Sequence, residues 1–516
     1  MNPFTTRPEI VGTFGVVAST HWLASSAGMR ILELGGNAFD AAVGAVFFSM
    51  TSEFALTGAG GGGILMGMEK NQAPFLYDFF VDYPIKKINN IDFKKINVDF
   101  GNTKQKFYIG KGSSAIPGNI AGLIKVHQEK GVLPLKVVLE PAIDIAKNGV
   151  ILSKYQAYIN SLIKPILINS STGKDLFIKN KKFLAEGDTF KNPNFANFLD
   201  MLIKYGNDFF YNGDAAEIIE QVYSNGGFLD KKNLKNYKVF NRKPISIKIG
   251  EYHIFTNPAP AYGGTLMIFL LQLLKKSNSL NSDIINLIQA MDLTSAARNE
   301  ICKDPNDEME ISNCLKNDFI KKYLGRFKKN DFNHNTTKLS GFGSTTHLSV
   351  IDKNHNVVSV TTTNGEGSGI FIPEFGILMN NMLGEKDLNP FGFHKCDISR
   401  RLPTMLCPVI ILKNNKPIYT IGSGGSNRIR SAIIQVIINL LIKNMNLYDA
   451  IESPRIHLEN KDLFMEPNIK LPKNQYLQHL NLKPFNSKSL FFGGTNCVGL
   501  DCAIGDSRRG GAGDIF

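Results

Sequence analysis

The chain has 516 residues, 43% of them hydrophobic and 20% charged, with a formal net charge of +13. Such a chain can bury a large core, and its length alone allows two or more domains. The charge raises the question of acidic partners, but the lysines are scattered among asparagines and isoleucines, as in 174–204 and 230–248, with no basic stripe interleaved with aromatics, which argues against a nucleic-acid site.

In chain order, residues 23–52 predict helix, with Ala24, Ala27, Ile31 and Leu34 on one face and Gly35-Gly36-Asn37 breaking it before a second apolar helix from Phe39. Gly58, Gly60 and Gly63 formally satisfy GxGxxG, yet an apolar helix precedes them and the strand-like Ile64–Met68 follows. That is the reverse of the dinucleotide fingerprint, and no Gly-Lys-Ser/Thr follows to make a phosphate loop. These glycines are expected to let backbone pass close to a site. Further helices are predicted over 120–129, 134–147, 195–205 and 215–223, and strands over 246–254 and 405–412. The mixture favours a layered α/β enzyme over a helical bundle. Apolar stretches such as 266–274 are too short to span a bilayer.

Between Gly343 and Thr363 two β-branched runs flank the polar break Lys353-Asn354-His355, a β-hairpin pattern. If His347 faces Thr361 and Ser349 faces Ser359, then Leu348 faces Val360, Val350 faces Val358, and Thr345 meets Thr363 at the open end. One face is then hydroxyl-rich and the other apolar, whereas a one-residue slip sets polar against apolar along the whole ladder. The segment is either an ordinary half-exposed hairpin or a nucleophile site. A threonine hydroxyl becomes a useful nucleophile when its own free α-amino group serves as base, which requires a cut before Thr345. The small pair Gly343-Ser344 would let the backbone bend for that attack.

A second glycine cluster, Gly422-Ser423-Gly424-Gly425-Ser426, follows the strand-like 416–420 and precedes an apolar helical repeat from Ile433 to Leu441. It is either a plain tight turn or a strand-to-helix turn whose N–H groups hold an oxyanion. The six cysteines show no CxxC pair or metal spacing, so free thiols are expected, with Cys497 and Cys502 the one close pair. His347 and His457 are expected to be structural. Residues 1–20 lack the basic start and apolar run of a secretory signal, which gives a cytoplasmic expectation, or a periplasmic or secreted one if a leader has been omitted.

Thr345–Asp352, Thr363, Gly376–Met382, Arg401–Met405, Gly424-Gly425-Ser426 and Pro454–His457 together resemble the γ-glutamyltranspeptidase family of N-terminal-nucleophile hydrolases. Gly35–Ala42, Gly60–Gly63, Ile116-Pro117-Gly118 and Pro258–Gly264 extend the likeness through the first half. The resemblance implies an αββα four-layer sandwich, with two stacked antiparallel sheets between helical layers. It implies self-cleavage between Ser344 and Thr345 into a large subunit (1–344) and a small one (345–516) that remain associated as one interwoven domain. Thr345 would be the nucleophile, Thr363 its activator, and Gly424 and Gly425 the oxyanion hole. Asn364, Glu366, Glu385, Arg401 and Thr404 would bind substrate, with no metal or cofactor.

The chain also departs from the family pattern. Asp78-Phe79 is followed by Phe80 where the family has an arginine for the glutamyl α-carboxylate, Pro403-Thr404 stands for paired serines, and Met382 for a glutamine. Arg400, Arg401 or Arg428 would have to supply the missing charge, or the donor is not a free γ-glutamyl group. The leading expectation is therefore transfer of a γ-glutamyl group, from amides such as glutathione, to water or an amino acid. One alternative is an acylase of the same family acting on a non-glutamyl amide, and another is an unprocessed, noncatalytic binding or scaffold protein.

Overall fold

Side-chain parity sets the centre of the molecule. In the computed structural model, which describes residues 10–11, 15–85, 88–99, 104–281, 283–329, 344–396 and 398–515, strands Thr346–Asp352 and Val357–Thr363 form the expected antiparallel hairpin. His347 lies opposite Thr361, Leu348 opposite Val360, Ser349 opposite Ser359 and Val350 opposite Val358, as the alternation predicts. Its turn uses His355 at φ 64°, with Asp352 Oδ1 accepting the N–H groups of Asn354 and Asn356 at 2.8 and 3.0 Å. Gly343, named above in the bend before Thr345, lies outside the described residues.

The hairpin is not half-exposed; both of its faces are buried. It occupies the middle of a seven-stranded sheet, with Gly15–Ser19 paired to one side and Gly62–Met68 to the other. Leu348, Val350, Val358 and Val360 enter a core shared with the helices Ala38–Ser52, Asn119–Lys130 and Leu135–Asn148. The hydroxyl face meets a second seven-stranded sheet: Ser349 and Ser359 donate to the carbonyls of Thr420 and Ile421 at 3.1 and 3.2 Å, and Val409 N–H donates to Ser359 Oγ at 3.2 Å. Buried hydroxyls are tolerated in this seam because the facing strands satisfy them.

The second sheet runs in the order 10–11, 502–504, 494–499, 416–424, 409–413, 252–256 and 245–249. Helices Tyr262–Lys276, Ile284–Ile301 and Arg428–Leu441 cover its outer face through a core that includes Ile254, Ile411, Ile433 and Leu266. The result is the helix–sheet–sheet–helix layering expected from the sequence. All pairings within the two sheets are antiparallel.

Most predicted helices fall within a residue or two of their expected limits. The first break is capped by Asn37, whose Oδ1 accepts from Phe39 and Asp40 N–H while Asp40 returns a bond to Asn37 N–H. Leu34, expected on the buried face, sits just past the helix and is exposed. The strand predicted over 246–254 is instead a hairpin, Ile245–Ile249 and Tyr252–Thr256, turned at Gly250 with φ 58°. The strand predicted from Met405 begins at Val409, because the Thr404 carbonyl accepts the N–H groups of Tyr262 and Gly263 at the start of a helix. Among the described residues the six cysteines are all thiols, and no helix is long and apolar enough to cross a membrane.

Candidate active site

Thr345 is buried at the mouth of the hairpin, joined to Ser344 where the chain enters the sheet. The Thr363 hydroxyl donates to the Ser344 carbonyl oxygen and accepts the Gly365 N–H at 3.0 Å. A donor therefore lies on the carbonyl of the one peptide bond that a Thr345 nucleophile would have to break. The first glycine cluster makes this approach possible: a Cβ on Gly61 would strike the Thr363 carbonyl, and one on Gly63 would lie 2.7 Å from the Thr362 methyl.

The second glycine cluster closes on Thr345 from the other sheet. A Cβ on Gly424 would collide with the Thr345 carbonyl, so that position requires glycine. Gly425 has φ 126°, inside the region that favours glycine, and Ser426-Asn427 leads into the helix Arg428–Leu441. The turn thus joins a strand end to a helix start beside Thr345, a geometry suited to stabilising negative charge.

Around these groups lies a set that sequence reasoning did not find. The Thr346 hydroxyl donates to Glu53 Oε2 at 2.6 Å and lies 3.1 Å from the Thr20 hydroxyl, and Asn496 Nδ2 donates to both Thr20 Oγ and the His347 carbonyl. Burial pushes the Glu53 carboxyl up to about 7, against hydrogen bonds from Thr346 and Ser49 and the charge of Arg509. The Arg509 guanidinium lies under the Gly424–Gly425 turn, 3.0 Å from where a Gly424 Cβ would stand. These contacts join residues far apart in the chain, and no local spacing announced them.

His347 behaves as expected of a structural histidine. Its Nδ1 and Nε2 bond to Thr361 Oγ at 2.8 Å and Ser349 Oγ at 2.9 Å, and burial lowers its pKa to about 3, so the ring stays neutral.

The candidate substrate residues divide into two groups. Glu385 Oε1 lies against Gly365, the residue whose N–H holds Thr363, and Glu366 N–H donates to Asn381 at 3.0 Å on the same turn. Burial, then the nearby Glu366 and Asp387, hold the Glu385 carboxyl well above the usual range. Asn364 bridges to the Leu378 carbonyl at 3.0 Å, and its Oδ1 is buried without a hydrogen-bond partner among the described residues. Phe80 and Met382 are fully buried, and the Phe80 backbone packs on Gly62, which pairs with Thr363. These residues gather around Thr363 and leave carboxyl groups facing one another, a place that a cation would relieve.

Arg401 and Thr404 are engaged elsewhere. The Arg401 guanidinium donates to the Phe80 carbonyl, to Tyr237 OH at 2.6 Å and to the Lys238 carbonyl at 2.5 Å, with Nε 3.2 Å from Asp82 and 3.5 Å from Asp78. Those contacts engage the guanidinium within the protein: it pins the 78–82 segment, and Phe80 with it. Thr404 Oγ accepts the Leu406 N–H at 3.2 Å while its carbonyl caps the helix from Tyr262. Arg428, another candidate for the missing charge, donates to the Phe491 carbonyl at 3.2 Å and stacks over that ring.

Comparison with known proteins identifies the family. The gamma-glutamyltranspeptidase family model matches residues 24–513. The chain belongs to the γ-glutamyltranspeptidase family. Glutathione hydrolase proenzyme of Escherichia coli (strain K12) is 30% identical over 86% of this chain and 80% of its own length. Acylase ACY 1 proenzyme of Pseudomonas sp. (strain SE83) is 28% identical over 89% of this chain and 85% of its own. Among solved structures, cephalosporin acylase from Bacillus halodurans superposes with a TM-score of 0.83 at 20% identity, covering 99% of this chain and 97% of that one, which establishes the shared fold. This family member therefore has the N-terminal-nucleophile αββα architecture and is an enzyme.

Proposed function

We propose that this enzyme cleaves itself between Ser344 and Thr345 and then transfers γ-glutamyl groups from amides such as glutathione to water or an amino acid. The observation that carries the reading is the Thr363 hydroxyl on the Ser344 carbonyl. In processing, Thr345 Oγ attacks the Ser344 carbonyl carbon while Thr363 steadies the oxygen as it gains charge. The C–N bond breaks, the Thr345 nitrogen takes a proton, and an ester links residue 344 to the Thr345 side chain. Water hydrolyses that ester. The large fragment ends at Ser344, the small one begins at Thr345, and the strands they share keep them together.

The freed amine of Thr345 is then the base for its own hydroxyl. The hydroxyl attacks the donor amide, the oxyanion meets the N–H groups of the Gly424–Gly425 turn, and the amine leaves with a proton. Water or an amino acid then takes the acyl group from Thr345. Glu385, with Glu366 and Asp387 behind it, favours an α-ammonium on the donor, in keeping with the glutathione hydrolase name of the Escherichia coli relative.

A second reading keeps this machinery and changes the donor. Phe80 in place of a carboxylate-binding arginine and the apolar Met382 favour an acyl group without an α-carboxylate, as the acylase name of the Pseudomonas relative suggests. The test begins with intact mass and N-terminal sequencing after incubation, where two fragments are expected, the smaller starting Thr-Thr-His-Leu-Ser. A persistent single chain would instead favour a noncatalytic binding or scaffold protein. Hydrolysis of a γ-glutamyl anilide against an acyl anilide lacking the α-amino and α-carboxyl groups then separates the two donors; faster turnover of the second would overturn the γ-glutamyl assignment.

A further inference from the structure

Behind the glycine turn lies a cleft of about 510 Å³, its open mouth included, that none of Thr345, Thr363, Gly424 or Gly425 lines. Its walls come from four places in the chain. Asp292 and Arg298 project from the helix Ile284–Ile301, Asn427 from the turn, Arg430 from the helix that follows, and His457 and Glu459 from the strand Ile456–Glu459.

Unmet hydrogen-bonding atoms concentrate here. Arg430 Nε and Nη1, Asn427 Oδ1 and Glu459 Oε1 are all buried and have no hydrogen-bond partner among the described residues, while His457 Nε2 lies 3.7 Å from the other Glu459 oxygen. Asn427 and His457 are 4% and 3% exposed, so water outside the cleft does not serve them. Leaving such atoms unmet is costly, and more so for charged groups. The unmet atoms are of both kinds. Arg430 offers only donors, and burial with the neighbouring Arg298 charge lowers its pKa to about 10, so an anion would relieve it. Glu459 Oε1 and Asn427 Oδ1 offer only acceptors, and Asp292, which accepts from Tyr476 OH at 3.0 Å, adds a second carboxylate.

A simple anion would leave Glu459 and Asn427 unmatched, and a simple cation would leave Arg430 unmatched. We propose that the cleft is a second binding site, for a free α-amino acid with a small side chain, with the carboxylate on Arg430 and the ammonium on Glu459 and Asn427 Oδ1. The occupant would sit next to the catalytic turn. Asn427 Nδ2 and Ser426 Oγ both donate to Asp387 Oδ2, at 2.9 and 3.1 Å, and Arg298 holds the Asp387 carbonyl at 2.7 Å. A ligand touching Asn427 thus bears on the link between the glycine turn and the Glu385–Asp387 segment.

Calorimetric titration of the wild-type protein with glycine, acetate and methylamine is the test, and it reads binding, so it stands whichever donor the enzyme uses. Glycine is expected to bind at least tenfold more tightly than either singly charged probe. Arg430→Gln and Glu459→Gln should each weaken glycine at least tenfold, and Glu385→Gln should leave that affinity unchanged. Equal, weak binding of all three probes would mean a cleft that holds only water, and loss of glycine binding in Glu385→Gln but not in Arg430→Gln would move the ligand to the donor pocket; either result overturns the proposal. If Arg430→Gln does not fold, Glu459→Gln and the wild-type selectivity decide alone, since Glu459 is partly exposed at the end of its strand.

Discussion

Around Thr345 the geometry is set by main chain: a hairpin register, a carbonyl under a hydroxyl, and two glycines pressed against a strand. Around Glu385 it is set by side chains on turns, where the carboxyl groups of Glu366 and Asp387 crowd that of Glu385. Backbone held by two sheets leaves little freedom to vary, because shifting one residue reverses every face of the hairpin. Turn side chains can be exchanged without disturbing a ladder. On the proposed assignment, the contrast would let a chain keep a reaction centre at Thr345 while changing what surrounds the donor.

Substitutions at the two places should differ in kind. Thr345→Ala should abolish both cleavage and turnover, by more than about a thousandfold, since the hydroxyl starts both reactions; a denaturing gel showing cleavage at the same bond in this variant would remove Thr345 from its role. Thr363→Ala should leave the fold intact and slow processing by about 100- to 1,000-fold, the range for removing one donor from a developing oxyanion. Time-resolved mass spectrometry measures it, and a wild-type rate would mean the Ser344 carbonyl is stabilised elsewhere. At the donor end, Glu385→Gln should process normally and raise KM for γ-glutamyl donors by about 10- to 100-fold, as expected for one charge-assisted hydrogen bond. Acyl anilides without an ammonium should be unaffected. If both donor types weaken alike, Glu385 supports the turn rather than the substrate.

The smallest effect concerns pH. Glu53 is raised from 4.5 to about 7 in the folded protein, so between those values the native state holds a proton that the unfolded chain has lost. Stability contributed by this group is present at low pH and lost as pH rises through about 7. Thermal melts from pH 4.5 to 7.5 should show that decline, and Glu53→Gln should make it shallower by an amount on the order of a few kcal/mol. Glu385, Asp387 and Asp82 are shifted in the same direction, so the slope should shrink rather than vanish.

Legibility in the sequence follows the same division. Alternation in Thr346–Thr363 made the hairpin register readable, and glycines at 60–63 and 424–425 marked where backbones approach. The neutral, structural His347 was readable too, because it lies on the hydroxyl face between Thr361 and Ser349. Arg401 was not: its residue type suggests a carboxylate ligand, but Asp78, Asp82 and Tyr237 reach it only through tertiary packing. Glu53 and Arg509 lie near opposite ends of the chain and converge on the site by the same kind of long-range contact, which no local pattern encodes. The sheet face buried against the second sheet was also hidden, since polar alternation ordinarily signals water rather than another strand.

The position of the hairpin has a consequence for how the fragments can be made. Both of its outer edges are taken by strands from the first part of the chain, Gly15–Ser19 and Gly62–Met68. A fragment beginning at Thr345 and synthesised alone would carry two long edges of unpaired N–H and C=O groups over an apolar face, the surface that drives strand-to-strand aggregation. Producing the small fragment with a free amino-terminal threonine by direct expression should therefore give insoluble material, whereas folding first and cutting afterwards leaves neither edge of the hairpin unpaired. Under the proposed self-cleavage, the single-chain precursor would act as the assembly template, and Thr345 would gain its free amine only after its neighbours are in place.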